Sequence, residues 1–380
     1  MKLGIDAREA FKAETTGKGQ WTACVIAELL KRNFPLTLFV EEGQECGDSP
    51  TPLLRFPKGI RWHFAVAKYM RKTKDIDLYL SPTSFIVPRI IGKKLPCAVV
   101  IHDLIAFHDE PHDRKAKYIE RITLPKVLRT ASHLFTVSEA TKRELLERFP
   151  RTDREKITVV YEGPTVTKHE ASFDTAQDRL RTKFETQKGT GSDFGFRISD
   201  FAPYILSIST LCPRKNQLRL IQAFNLLPEN VRQKTKLILV GKRGWDDDEI
   251  VHLAKISPNV EWKGYVSDTE REKLLREAMV FAYPSLTEGF GLPVLDALVL
   301  GIPTLTSNRS SMPEVAGEGA LLVNPKEVEE IAKGLERLLT DDALRKELQE
   351  KGRKQAGRFS WGRTVDLMLE NFEGVKAEKV

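Results

Sequence analysis

The stretch Pro284-Ser285-Leu286-Thr287-Glu288-Gly289-Phe290-Gly291-Leu292-Pro293-Val294-Leu295-Asp296-Ala297 decides how the rest of the chain is read. An apolar run, 279–283, precedes it, so it reads as a strand, a glycine-rich turn and a helix, with Pro293 suited to the first helical turn. Such a turn exposes backbone N–H groups, and those of Phe290, Gly291 and Leu292 can meet an anion or sugar oxygens. Glu288 lies before the turn and Asp296 on the helix, eight positions later. Carboxylates placed in that way can accept hydrogen bonds from hydroxyls at two points of one elongated ligand.

Working outward, the same alternation of short apolar runs and amphipathic segments fills the second half. Strands are expected at 204–209, 237–240, 260–263, 279–283 and 304–306, and helices at about 216–227, 247–256, 268–277 and 293–300, the last ended by Gly301 with Pro303 beyond. The first half repeats the pattern, with strands at 3–5, 36–40, 78–80, 98–101, 134–137 and 157–161 and helices at about 19–32, 114–129 and 139–149. Strands rich in Val, Ile and Leu without alternation are buried on both faces, as parallel sheets of α/β proteins require. The fold class is therefore α/β, with two facing, Rossmann-like, doubly wound domains and a central cleft lined by the carboxyl ends of both sheets, where ligands of open α/β folds bind. The expected boundaries are 1–170 and 201–360, separated by a polar linker and insertion, 171–200. The amphipathic tail, 361–380, is a helix able to pack back on the first domain.

Composition narrows the class. The 380 residues are 41% hydrophobic and 30% charged, which describes a globular chain too long for one ordinary core. No apolar run approaches the ~20 residues that span a bilayer, and the acidic residue at Asp6 leaves no apolar leader, so a cytoplasmic location is expected. Four scattered cysteines, Cys24, Cys46, Cys97 and Cys212, have neither disulfide-framework nor zinc spacing. A net charge of +7 suits an anionic partner without choosing one.

Three further loops follow expected strands. In Thr16-Gly17-Lys18-Gly19-Gln20-Trp21, Gly17 and Gly19 let the backbone approach a phosphate at a helix N-terminus; a tight turn explains them equally well, and the absence of a third glycine at Thr22 disfavours a dinucleotide. His102 ends the run 98–101 and is placed to bond a sugar or phosphate or to relay a proton, with the pairs His108-Asp109 and His112-Asp113 close behind. Three His–Asp pairs admit a metal-hydrolase reading, but Pro111 breaks their spacing, so His102 is preferred as the one functional histidine and the others as solvated. In Cys212-Pro213-Arg214-Lys215-Asn216, two adjacent cations at a helix start form a receptor for a diphosphate. Hydroxyls at both ends and a diphosphate between describe a nucleotide sugar. Asp75-Ile76-Asp77 precedes its strand and reads as a structural cap, and Asp246-Asp247-Asp248 sits where a helix begins, so neither needs a metal.

At these residues the sequence resembles the family 4 glycosyltransferases, retaining enzymes of GT-B fold. The matching pieces are Gly17 and Gly19, Val100-Ile101-His102-Asp103-Leu104, 136–145, Pro213-Arg214-Lys215-Asn216, Leu239-Val240-Gly241, Gly264-Tyr265-Val266, 283–293 and Ser311-Met312-Pro313-Glu314-Val315, in the family's order along nearly the whole chain. The resemblance implies that the first domain binds the acceptor and the second the donor. It implies that Lys215, with Arg214, holds the donor diphosphate and offsets leaving-group charge, and that Glu288 binds hydroxyls of the donor sugar. The N–H groups from Phe290 to Leu292 would hold sugar and phosphate oxygens, Asp296 the ribose, and Tyr265 and Val266 the base, while His102 would contact the transferred sugar. No metal and no cofactor is implied. The chain departs from the family at Asp296, where Glu is usual, at Ser209-Thr210, where Gly is usual, and at Tyr161-Glu162-Gly163-Pro164, which matches an Asn-Gly turn only in part.

The activity so implied is transfer of a hexose, of mannose or glucose type, from a UDP- or GDP-sugar to a glycan or lipid-linked acceptor in cell-surface polysaccharide or glycoconjugate synthesis. Peripheral contact with an anionic membrane is admitted, and nucleic acid is not expected as a partner. A nucleotide-sugar epimerase or hydrolase, or a binding protein without turnover, is the alternative on the same fold.

Overall fold

The structure is a computed structural model, and it describes residues 1–12, 16–46, 51–108, 114–166 and 203–377. The expected insertion at 171–200 and the residues Asp109, His112 and Asp113 lie outside them. The chain divides into two compact units, Met1–Thr165 with Phe359–Val380, and Val166–Arg358.

In the first unit the strands are β1 (Leu3–Asp6), β2 (Leu36–Glu41), β3 (Leu53–Phe56), β4 (Leu78–Ser81), β5 (Cys97–Ile101), β6 (His133–Thr136) and β7 (Ile157–Val159). They form a seven-stranded sheet of order β3-β2-β1-β4-β5-β6-β7, and every neighbouring pair is parallel. The order reverses between β1 and β4. Right-handed crossovers on either side of such a reversal place helices on opposite faces of the sheet, which explains why β1, β4 and β5 are buried at every position. Helices Ile60–Met70, Ile86–Ile91 and Arg114–Thr130 pack in series, and helix Gly17–Lys31 packs with helix Trp361–Ala377.

Several features hold the terminal helix in the first unit. Arg32 donates to the Gly362 carbonyl at 3.1 Å and to Asp366 at 2.9 Å, and Trp361 Nε1 donates to the Pro164 carbonyl at 2.9 Å. Phe372 is buried against Phe135 with ring centres 5.7 Å apart.

The second unit contains β8 (Tyr204–Ile208), β9 (Lys236–Val240), β10 (Val260–Trp262), β11 (Val280–Tyr283), β12 (Thr304–Ser307) and β13 (Leu321–Val323). Their order is β10-β9-β8-β11-β12-β13, again parallel throughout, with the reversal between β8 and β11. Helix starts follow local chemistry: Ser267 caps Asp268–Glu277 through a 3.2 Å bond from Glu270 N–H, and Ser138 caps Glu139–Arg148 through one of 3.0 Å from Thr141 N–H.

Several elements have no sequence expectation, among them the short helices Ile86–Ile91 and Glu229–Arg232. β3 and helix Ile60–Met70 occupy 53–70; β3 is a half-buried edge strand, and the helix begins with Ile60, Trp62 and Phe64, which are mediocre helix formers, so tertiary burial of Trp62, Val66, Ala67 and Met70 decides it. Met312–Ala316, β13, Val328–Thr340 and Asp342–Ala356 complete the second unit. The strand expected at 157–161 stops at Val159.

Candidate active site

At the β8/β11 reversal, two loops meet that are more than 70 positions apart in sequence. The turn Pro213–Lys215 follows β8, and the segment holding Glu288 follows β11. Asn216, in the left-handed conformation with φ 64°, ties them together by donating to the carbonyls of Pro284 at 2.9 Å and Pro325 at 2.6 Å. Leu286 N–H donates to the Arg214 carbonyl at 2.9 Å.

That framework sets two cations on one carboxylate. Lys215 Nζ lies 2.6 Å from Glu288 Oε1, and Arg214 Nη1 lies 2.9 Å from Glu288 Oε2, with all three side chains largely buried. Glu288 Oε1 also accepts from Ser285 Oγ at 2.6 Å and from the Tyr283 hydroxyl at 3.0 Å, while Lys215 also donates to that hydroxyl at 2.6 Å. Burial alone would push the Glu288 carboxyl up; the charges of Arg214 and Lys215, with the bonds from Lys215 and Ser285, outweigh it and hold the group at about 2. Lys215 moves down from its ordinary value, by burial first and by Arg214 second, because the single carboxylate is shared. The cluster thus carries one net positive charge in a dry setting, a place for one more anion.

Beyond Glu288, the turn is shaped for close approach. Gly291 has φ 108°, a conformation that L side chains avoid, and caps the helix Leu292–Leu300. The N–H groups of Gly291 and Leu292 make no hydrogen bond among the described residues. Ser311 Oγ donates to the Phe290 carbonyl at 2.8 Å and so holds the turn from behind. Asp296 is 1% exposed on that helix, and Arg271 Nη1 stands 3.3 Å from its Oδ2. Tyr265 is exposed and Val266 half-buried in the segment after β10. Sequence reasoning assigned no role to Tyr283, Ser285 or Arg271; the position of Tyr283 as the last residue of β11 was the available signal.

In the first unit His102 follows β5. It is buried, its Nε2 donates to the Pro82 carbonyl at 2.9 Å, and its Nδ1 lies 3.6 Å from Glu162 Oε1. Trp21 meets the imidazole edge-on at 5.5 Å. Both ring nitrogens therefore face protein groups, and Glu162 and Trp21 join the histidine without any sequence signal having linked them. Gly17 and Gly19 lie inside the first turn of helix Gly17–Lys31, where Thr16 accepts from Gly19 N–H at 3.2 Å. A Cβ at 19 would come within 2.5 Å of the Glu9 carbonyl, so close packing on the turn Arg8–Phe11 demands that glycine, whereas Gly17 has open space.

One expectation is corrected here. His108 is paired rather than solvated, with Nε2 2.6 Å from Glu144 Oε1, because helix Glu139–Arg148 brings that acid beneath it. Among the described residues no three His, Cys, Asp or Glu side chains gather as a metal site. Asp77 accepts from Lys2 N–H at 2.8 Å, and Asp247 is bound by Arg243 and by Gly244 N–H, so both acidic motifs have structural duties. None of the four cysteines is in a disulfide among the described residues, and no helix of the described residues is long and apolar enough to cross a membrane.

Comparison with known proteins bears on the family and the fold. The model for glycosyl transferases group 1 matches residues 193–355, and that for glycosyltransferase family 4 matches residues 25–166. O-antigen chain mannosyltransferase B of Escherichia coli is 42% identical over 161 residues, which are 42% of this chain and 42% of that one. The serotype-specific mannosyltransferase WbdA of Escherichia coli is 31% identical over 247 residues, 64% of this chain and 29% of that one. The chain thus spans less than half the length of these relatives. Among solved structures, HepE of Anabaena, in complex with UDP and glucose, superposes with a TM-score of 0.74 at 18% identity, covering 98% of this chain and 99% of that one. Sucrose-phosphate synthase of Thermosynechococcus elongatus gives 0.77 at 16%, covering all of both chains. Matches to both halves, in family order and over the loops that carry Arg214, Lys215 and Glu288, place this chain in the family 4, group 1 glycosyltransferases of GT-B fold.

Proposed function

We propose that the protein is a retaining glycosyltransferase that moves a hexose from a UDP- or GDP-sugar to a hydroxyl of a glycan or lipid-linked acceptor, in the synthesis of cell-surface polysaccharide or glycoconjugate. The observation that carries the proposal is the Arg214–Glu288–Lys215 cluster at the β8/β11 reversal, an anion receptor joined to a buried carboxylate that stays ionised. The diphosphate lies against Arg214 and Lys215, and the N–H groups of Gly291 and Leu292 take further oxygens. Glu288 accepts hydroxyls of the donor sugar, and Asp296 with Arg271 meets the ribose beside Tyr265 and Val266. As the bond from the anomeric carbon to the diphosphate breaks, negative charge grows where the two cations already stand, and preorganised charge of that kind lowers the barrier. The acceptor hydroxyl attacks on the face the nucleotide leaves.

The proposal gives the acceptor to the loops of the first unit, where His102 orients the transferred sugar. The 2.9 Å bond to the Pro82 carbonyl favours that orienting role over proton relay. A mannosyl donor is supported by the names of the relatives, and a UDP donor by the HepE complex. The chemistry needs no metal, so turnover in EDTA is expected.

Contact with an anionic membrane belongs to the same proposal. Helix Arg114–Thr130 exposes Tyr118, Ile119 and Ile122 beside Arg121, Lys126 and Arg129, the combination by which a helix lies in a lipid interface.

Incubation with UDP- and GDP-sugars and mixed acceptors tests the function. Transfer to an acceptor supports it; an epimer or free sugar as the only product replaces it with the epimerase or hydrolase reading. Lys215→Ala should lower turnover by ~10²–10³.

A further inference from the structure

We propose that Tyr283 is a positioning residue of the diphosphate site, its hydroxyl fixing the direction of the Lys215 ammonium; the inference rests on the glycosyl-transfer reading above. The hydroxyl lies 2.6 Å from Lys215 Nζ and 3.0 Å from Glu288 Oε1. An ammonium has only donors, so the hydroxyl accepts from Lys215 and spends its own proton on Glu288. Glu288 Oε1 then collects three donors, from Lys215, Tyr283 and Ser285. That oxygen is saturated. A donor-sugar hydroxyl must therefore be read by Oε2, which receives Arg214.

The same count applies to the lysine. Two of its three N–H bonds go to Tyr283 and Glu288 among the described residues. Two fixed bonds on a tetrahedral nitrogen aim the third, and the third is the one a phosphate oxygen takes. With Glu288 as its sole partner the ammonium would turn about that one bond and spread the third N–H over a cone.

Surroundings decide what else the hydroxyl does. Lys215 is faced by Arg214 and Cys212 from its own loop, by Tyr283 from β11 and by Glu288 from the loop that follows. Arg214 repels it and Glu288 compensates. The Cys212 thiol, pushed up chiefly by burial, is neutral, and the phenol, raised by burial and then by Glu288, never competes as an anion. Removing the hydroxyl takes away an acceptor that binds the ammonium more strongly than the neutral amine. The ring itself stacks on Phe281 at 6.0 Å, and Tyr283→Phe keeps that contact.

The test is calorimetric binding of UDP and GDP to the full chain between pH 6 and 9, for wild type, Y283F and K215A, with thermal unfolding of each. Y283F should bind the preferred nucleotide about tenfold more weakly at neutral pH and lose binding at lower pH on the alkaline side. A folded Y283F with wild-type affinity and an unmoved alkaline limb overturns the proposal, because that is what packing alone predicts. Tyr283→Met supplies a second variant without the hydroxyl, and it must show the same shift should Y283F unfold. K215A separates the two levels. If it binds as wild type does, or wild type binds neither nucleotide, the diphosphate reading falls and this inference with it; if K215A alone weakens, the reading stands and Tyr283 is excluded.

Discussion

The Nδ1 atom of His102 stands 3.6 Å from the carboxylate of Glu162, both side chains are buried, and the opposite ring nitrogen donates to the Pro82 carbonyl. The imidazole is held by three segments of the first unit, so its place does not depend on the second. Removing it should therefore separate turnover from nucleotide binding. His102→Ala is expected to lower donor turnover roughly 10- to 100-fold while UDP or GDP affinity stays at the wild-type level. Parallel loss of affinity, read by calorimetry beside steady-state release of nucleoside diphosphate, would sink that assignment.

Exchange of Glu288 for Gln leaves two buried cations without their counter-charge. Truncating one partner of such a pair costs about 3–5 kcal/mol, so the melting temperature should fall by several degrees and turnover with it. The carboxyl is held at about 2 in the fold against about 4.5 when unfolded. Its contribution is complete above about 4.5 and is lost as pH falls toward about 2. Thermal unfolding of wild type and Glu288→Gln should thus differ most near neutrality and converge on acidification; a constant gap argues against the ionised carboxylate.

The motif 283–293 made both the candidate site and the fold legible, because a glycine turn between a buried strand and a helix has few other uses. Parallel β-strands such as 98–101 and 237–240 announced themselves as unbroken apolar runs. What escaped was of two kinds. β3 and the helix Ile60–Met70 owe their existence to burial against distant residues, and local propensity is weak there. Contacts such as His102 with Glu162, or Arg271 with Asp296, join residues far apart in sequence whose pairing no spacing rule encodes.

Acid should weaken the first unit through its buried histidines. His63 and His133 are each pushed down to about 4, by burial first, then by Arg8 and Lys156 respectively. Groups held neutral in that manner contribute stability that is full above about 6.5 and is lost as pH falls toward about 4. Hydrogen exchange at pH 7, 5 and 4 should show protection falling in β1, β2 and β6. His63→Phe should flatten part of that slope, and unchanged pH dependence would count against it.

Gly241 has φ 143°, and a Cβ there would run into the Ser209 carbonyl. Gly241→Ala should cost about 2–4 kcal/mol from backbone strain and overpacking together. A melting temperature within a degree of wild type would show that the loop after β9 relaxes freely.

Sedimentation with vesicles tests the exposed face of helix Arg114–Thr130. Binding is expected to vesicles containing anionic lipid, to weaken as salt is raised, and to fall on replacing Tyr118 and Ile122 with Ser. Equal binding to neutral vesicles would remove the electrostatic part of the proposal.

The first unit closes only with residues that follow the second, since Phe359–Val380 belongs with Met1–Thr165. During synthesis, then, Val166–Arg358 is a continuous stretch that can acquire its core while the first unit still waits for Trp361 and Phe372 to cover Trp21 and Phe135. Of the two units, the one translated first is the one finished last, and a ribosome stalled before residue 359 holds a half-built protein whose first unit is open and whose second is already whole.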